Sequence, residues 1–402
     1  AFSKRLVQSE WYARGFRLRT GQCEAVYDFK QTGGGFFPIK VGQGKCLVAE
    51  TEVLDLSGRR RRVDELGTFS VPSMTSEGRI EAAQADAFAS GQKNCLRFRL
   101  ADGRAVGLSE DHPVFTSEGW CRADGLVIGD LVAVARSVPE PQFVTRVSDD
   151  EVMFVAYMLA NGGTAGASTR FTDDNLEMLR ELRAVVTRLG GTFKQTGWSG
   201  KAQEVSLSGV RKVVKRWGMA FVKAVHKRVP ATFYGLSARQ LALFINRFWS
   251  SDGYINERKS SLEMVLGSEK LIDDLQALLT RFGVASRKRY KKATYYSTKY
   301  SKRRYFDAWK LTISGRENVS AFFSHVGFFF GQEDKSARLL ASVKGKGNTN
   351  VDVIPFGPTE FKQLCDELGF RGVGGAPELR GAGRPRTTLR LRLGVKQGQL
   401  VG

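Results

Sequence analysis

Residues Leu243–Tyr254 read Leu-Phe-Ile-Asn-Arg-Phe-Trp-Ser-Ser-Asp-Gly-Tyr, an apolar run that closes on an acid and a glycine. Leu243, Phe244, Ile245, Phe248 and Trp249 fit a helical period. Gly253 stops the helix, so Asp252 is expected at its C-terminal end. The helix dipole is negative there, which makes it a poor place for a structural carboxylate. A bound cation would reverse that preference. Standing alone, the stretch would read as an amphipathic helix with an Asp-Gly turn.

It does not stand alone. Phe154–Thr164 reads Phe-Val-Ala-Tyr-Met-Leu-Ala-Asn-Gly-Gly-Thr, again an apolar helix closing on a polar residue and glycine. Thr187-Arg-Leu-Gly190 recurs as Thr280-Arg-Phe-Gly283, and Val205-Ser-Leu-Ser-Gly209 as Leu311-Thr-Ile-Ser-Gly315. Leu179, Leu182, Val185 and Val186 recur as Ile272, Leu275, Leu278 and Leu279. Two copies of a helix, strands, helix, strand, helix unit are too few for a solenoid. They suit a pseudo-twofold domain.

This repeat resembles the LAGLIDADG homing endonucleases, in the dodecapeptide form found inside inteins. The resemblance implies two motif helices side by side on the pseudo-twofold axis, each delivering one acid to a shared divalent-metal site. The matching positions are Asp252 and Asn161, so the expected catalytic and metal-binding pair is one carboxylate short. No acid occurs from Val152 to Thr172 to replace it. Hard ions such as Mg²⁺, the cofactor the resemblance implies, favour charged oxygen ligands. Cleavage is therefore expected to be impaired, with at most slow nicking; the competing reading is that a carboxylate from elsewhere completes the site. His226-Lys-Arg-Val-Pro230 resembles the family's inter-repeat linker.

The balance of 62 Lys and Arg against 41 Asp and Glu gives a net charge of +21 over 402 residues, and predicts a polyanionic partner, double-stranded DNA. The segment from Arg287 to Arg304 holds nine Lys or Arg, four Tyr and no acid. A charge run is usually a solvated face, but this one interleaves Tyr and precedes a strand, Trp309 to Ile313. It is expected to be a β-ribbon on DNA, contacting phosphates or bases through Arg287, Lys288, Arg289, Lys291, Lys292, Lys302, Arg303 and Arg304. No apolar run reaches the roughly 18 residues of a membrane span. The five cysteines form no CxxC pair, which points to a reducing compartment. A monomer in the cytoplasm of a phage-infected or prophage-bearing bacterial cell is the expectation.

Upstream, residues 1–45 resemble part of the ATPase domain of phage terminase large subunits, between its nucleotide motifs. They are read as a host segment preceding an insertion. From Cys46 the chain alternates with period two through Leu96-Arg-Phe-Arg-Leu100, Ala105-Val-Gly-Leu108 and Leu131-Val-Ala-Val134, an all-β pattern. Cys46-Leu-Val-Ala-Glu-Thr resembles the first block of intein splicing domains, the Hint fold. Leu108-Ser-Glu-Asp-His-Pro-Val-Phe-Thr116 resembles their second block, in which Ser109 takes the usual threonine position and His112 the histidine. The resemblance implies attack of the Cys46 thiol on the Lys45 carbonyl, with His112 protonating the leaving nitrogen and Ser109 polarising the same peptide. Splicing needs no cofactor. Alone, Cys46 would read as a small buried hydrophobe and His112 as a turn residue. Cys95 and Cys121 are expected in the core.

Asp334-Lys-Ser-Ala-Arg-Leu-Leu340 and Asn348–Pro355 resemble segments that follow the second repeat in such inteins. Residues 370–402 are rich in Gly and Arg and read as disordered. No terminal His-Asn block follows His325, so ligation is expected to fail, and the missing initiator Met suggests a fragment. The fold expected is multidomain, an all-β Hint-type splicing domain followed by an α+β, pseudo-twofold duplicated LAGLIDADG-type domain. The expected boundaries are 1–45, 46–145, 146–335 (repeats about 152–219 and 240–328) and 336–402. Two alternatives are a DNA-binding module without chemistry and a fragment of an ATP-driven packaging terminase, the latter disfavoured by the missing nucleotide motifs.

Overall fold

The computed structural model describes residues 46–74, 80–116, 119–297, 302–328, 332–343 and 395–399. The terminase-like segment 1–45, Cys23 and Cys365 lie outside the described residues.

Residues 46–135 form short strands joined by turns: β1 (Glu52–Asp55), β2 (Arg59–Arg62), β3 (Thr68–Met74), β4 (Ile80–Asp86), β5 (Cys95–Arg99), β6 (Ala105–Ser109), β7 (Pro113–Thr116), β8 (Gly119–Arg122) and β9 (Leu131–Ala135). β1–β2, β3–β4 and β5–β6 are antiparallel hairpins, and β7 pairs with both β8 and β9. The buried set is small, with Leu56, Leu108, Ala123 and Val132 among its members. Cys95 and Cys121 depart from expectation, Cys95 being exposed and Cys121 half-buried. Alternation assigns each to a strand face, but a face becomes core only where a second layer covers it.

Two copies of one unit follow. The first runs α1 (Asp149–Ala160), β10 (Gly162–Gly163), β11 (Thr169–Asp173), α2 (Leu176–Arg188), β12 (Thr192–Ser199), β13 (Ala202–Ser208) and α3 (Arg211–Arg216). The second runs α4 (Ala238–Asp252), β14 (Gly253–Asn256), β15 (Ser261–Leu266), α5 (Glu269–Leu279), β16 (Arg287–Ser297), β17 (Lys302–Ser314) and α6 (Arg316–His325). Their sheets have the same order, β10-β11-β13-β12 and β14-β15-β17-β16. A further helix, α7 (Glu333–Ser342), packs near β14. β18 (Val395–Gln399) pairs antiparallel with β9, Val395 opposite Ala135. The disorder expected of the whole segment 370–402 thus fails at these five residues. An open strand edge offers backbone hydrogen bonds whatever the composition of the partner.

The helices begin where capping residues put them. Ser148 and Ser237 accept the backbone N–H groups of Glu151 and Gln240, and Asn175 and Ser268 do the same for α2 and α5. α1 is apolar on every side, and Val152 through Leu159 are all buried, as a central helix requires. α4 packs along it, burying Leu241, Phe244, Ile245, Phe248 and Trp249. The two run parallel. At their N-termini Arg239 pairs with Asp149 (2.7 Å) and Gln240 Nε2 donates to Val147 O. At their C-termini Asn161 Nδ2 donates to Ser251 Oγ (3.2 Å). Each chain folds back tightly after its helix. A Cβ on Gly162 would lie 2.5 Å from Met158 Cα, and one on Gly253 2.5 Å from Trp249 O, so only glycine serves at both. Among the described residues no helix is long and apolar enough to cross a membrane.

The strand region docks on the second repeat through a buried carboxylate. Asp274, fully buried on α5, accepts from Arg60 Nη1 of β2 (3.0 Å), Tyr234 Oη (3.0 Å), Arg228 Nη2 (3.3 Å) and Val229 N (2.9 Å). Removing one partner of a buried ion pair strands the others, at a cost of roughly 3–5 kcal/mol. Asp274→Ala is therefore expected to lower stability by that order in a urea melt, whereas Asp64→Ala, on an exposed and solvent-screened pair, should leave the melt nearly unchanged. Equal effects of the two would contradict this account of the interface.

Candidate functional site

The C-terminal ends of α1 and α4 bring together the residues singled out by the repeat. Asp252 is the last residue of α4 and Asn161 the C-cap of α1. The Asp252 carboxylate is partly buried, and no hydrogen bond to it is found among the described residues. Burial pushes its pKa up to about 6; Lys227 pulls it down, and Asp173 pushes it up again. Two residues in this cluster were not foreseen. Asp173, at the end of β11, is buried; its Oδ2 accepts from Asn161 Nδ2 (2.9 Å) and its Oδ1 from Asn175 N (2.9 Å). It lies one residue past the acid-free stretch 152–172.

Lys227 is the other. Its buried Nζ donates to the carbonyls of Met158 (2.9 Å), Leu159 (2.9 Å), Ala160 (3.2 Å) and Gly162 (2.7 Å). It thereby satisfies orphan carbonyls at the end of α1. Burial pushes its pKa down to about 8, with Asp252 opposing. The run His226–Pro230 marked the segment, but nothing in its pattern says that this lysine reaches back to α1.

Strand register sorts the basic ribbon into two faces. Lys288 is buried, its Nζ pairing with Glu269 (3.0 Å) and Asp273 (2.5 Å) of α5, while its backbone N donates to Asp102 O of the strand region. That corrects the expectation that Lys288 faces DNA: strand alternation turns it to the helix side. Arg287, Arg289 and Lys291 are exposed and take the opposite face. The pairing Tyr295↔Arg304 puts Arg304 on that same face, while Lys292 and Arg303 share the parity of Lys288. The side chain of Lys302 lies outside the described residues. In the first repeat Phe171 and Leu207 face the core, leaving exposed Arg170 and Lys194 on the other face of their sheet.

A second cluster surrounds Cys46, which is buried. Its carbonyl accepts from Ser109 N (3.0 Å) and lies 3.2 Å from His112 Nδ1. Its Sγ is 3.3 Å from Ser90 Oγ. Burial alone would raise the thiol pKa, but Ser90 and Lys93 outweigh it and the net shift is downward. Lys93 is held by Asp111 (3.2 Å). Ser109 is fully buried. Cys46, Ser109 and His112 are thus brought together; Ser90 and Lys93 come from the loop between β4 and β5, whose sequence carries no recognisable signal.

Against known proteins, a family model described as a LAGLIDADG-like domain matches residues 239–327. Among curated proteins, the replicative DNA helicase DnaB of Rhodothermus marinus is 26% identical over 339 residues, 77% of this chain and 35% of that protein. Protein RecA of Mycobacterium tuberculosis is 26% identical over 336 residues, 76% of this chain and 42% of that protein. The chain thus spans well under half the length of either relative. Among solved structures, the homing endonuclease I-DmoI in complex with DNA and Mn is 12% identical, over 45% of this chain and 98% of that one, with a TM-score of 0.31. The second repeat, from α4 to the end of α6, is thus the part of the chain that matches the LAGLIDADG-like domain.

Proposed function

We propose that the two repeats together form a DNA-binding, homing-endonuclease-like domain, with duplex DNA lying on the sheet faces turned away from the helices. The observation that carries this reading is the sorting of the ribbon. Arg287, Arg289 and Lys291 stand exposed on one face of β16 while Lys288 closes the core on the other. Guanidinium and ammonium groups on an open β-surface suit a phosphate backbone. Because one chain carries both repeats, a monomer suffices. The family-model match to the second repeat supports the reading.

A divalent metal is the cofactor such a domain implies. The donor chemistry at the helix ends fits a hard cation. Asp252 puts a carboxylate at the negative end of a helix dipole, and Asn161 adds an amide oxygen. Among the described residues no three His, Cys, Asp or Glu side chains converge on one point, so water and DNA oxygens would complete any shell. Bound there, such an ion would supply Lewis-acid stabilisation of the phosphate and a more acidic water. Lys227 keeps the end of α1 in place beside it.

We propose further that residues 46–135 act as an intein-like, Hint-type splicing region. The Cys46 thiol would attack the Lys45 carbonyl carbon; the carbon–nitrogen bond breaks, a thioester forms, and the Cys46 nitrogen leaves as an amine. The thiol gives up one proton and the nitrogen takes one. His112 Nδ1 lies 3.2 Å from the carbonyl oxygen of Cys46, the residue whose nitrogen would leave, and this contact and the lowered thiol pKa support the reading. The pairing of β18 with β9 supports it as well, since residues beyond the second repeat rejoin the sheet that precedes the first.

Two measurements test these readings. In duplex binding over a salt series, replacing Arg287, Arg289 and Lys291 together with Ser should flatten log K against log salt by roughly 0.9 for each phosphate that the variant no longer neutralises. Lys292→Ser with Arg303→Ser, on the helix-side parity, should change the slope less. An unaltered slope in the triple variant moves the DNA face elsewhere. For the acyl shift, dithiothreitol should release a fragment ending at Lys45. Cys46→Ala should abolish the release, and His112→Ala should slow it by roughly 100-fold. A wild-type chain that stays whole in thiol would remove the splicing assignment.

A further inference from the structure

The two repeats can be aligned by strand register instead of by motif. Gly162 pairs with Phe171 in the first copy, and Gly253 with Met264 in the second. Two residues on from each partner stand Asp173 and Leu266. Two further on stand Asn175 and Ser268, which both cap the following helix. Asp173 therefore occupies the place of an aliphatic residue in the other copy. At the helix ends the assignment is reversed, with the neutral Asn161 matching the acidic Asp252. Each repeat brings one carboxylate to the helix ends, from two non-equivalent positions.

Structural duty does not account for the Asp173 charge. Its Oδ1 accepts from Asn175 N, and its Oδ2 from Asn161 Nδ2. An asparagine could accept either bond with a neutral oxygen, and Leu266 shows that the fold tolerates an apolar residue there. A buried carboxylate is expensive without a charged partner. The same Asn161 amide reaches Ser251, the residue before Asp252. A continuous chain of contacts therefore runs from Asp173 through Asn161 to the end of α4.

We propose that Asp173 is the second acidic ligand of the divalent-metal site, displaced from the end of α1 to the end of β11, with Asn161 as the positioning residue that aims it. This rests on the nuclease reading above. It replaces the expectation of a site one carboxylate short with a site of normal charge and broken symmetry.

The test is Mn²⁺ binding to the full chain without DNA, read by electron paramagnetic resonance of the free ion. Wild type should bind, and Asp173→Asn and Asp252→Asn should each weaken binding by roughly tenfold or more. Thermal unfolding in EDTA should show Asp173→Asn still folded, because the amide oxygen can keep the bond from Asn175 N while Asn161 turns its own amide over to accept from the new Nδ2. The double variant Asn161→Asp with Asp173→Leu returns the acid to the symmetric position and should recover most of the wild-type affinity. Asp173→Asn binding Mn²⁺ as tightly as wild type, while Asp252→Asn loses it, overturns the proposal and leaves the nuclease reading standing. A double variant no better than Asp173→Asn also overturns it. If wild type itself takes up no Mn²⁺, the nuclease reading fails and this proposal with it; duplex binding in EDTA then reports on the DNA face independently.

Discussion

The parallel contact between α1 and α4 is what the rest of the molecule is hung on. Each helix is fixed at both ends: Arg239 and Gln240 meet the start of α1, and Asn161 meets Ser251 at the finish. Close packing of this kind is intolerant of extra volume. At Gly162 and Gly253 the chain folds back so closely on its own helix that a Cβ would run into Met158 or Trp249 of the preceding turn, and this turn decides where each sheet lies. The helix ends, and with them Asp252, are left at the junction of the two repeats.

That junction is crowded with charge for its degree of burial. Lys227 places an ammonium on four carbonyls at the end of α1, where a helix dipole favours a cation. Burial of Asp252 raises its pKa, and the neighbouring Asp173 adds to the rise. The interface between the strand region and the second repeat, by contrast, buries its charges in a satisfied network. Asp274 has four donors, and Lys288 is closed off by Glu269 and Asp273.

The register of β16 shows how a single strand serves two purposes. Lys288 knits α5 to the loop around Asp102, while Arg287 and Arg289 on either side stay open to solvent. A run of basic residues therefore does not translate into a run of ligand contacts. Half of a strand's side chains belong to the layer behind it.

Much of this architecture is legible from residues alone. The duplicated apolar helices, their glycine stops and the long basic hairpin all follow from local periodicity and turn chemistry, and the structure has each of them. The clustering of Cys46, Ser109 and His112 was also legible, because two short blocks in order carry it. Local pattern could not reveal which side chains converge from distant segments. Asp173 sits twelve residues from Asn161 in a strand, so its arrival at the helix end depends on the β10–β11 turn. Lys227 is further still from the carbonyls it caps, and Ser90 and Lys93 reach Cys46 only through the packing of a loop. The exposure of Cys95 and the pairing of β18 were settled in the same way, by whether another layer or an open edge was at hand. Sequence period sets which face a residue takes; only the tertiary contacts set what that face meets.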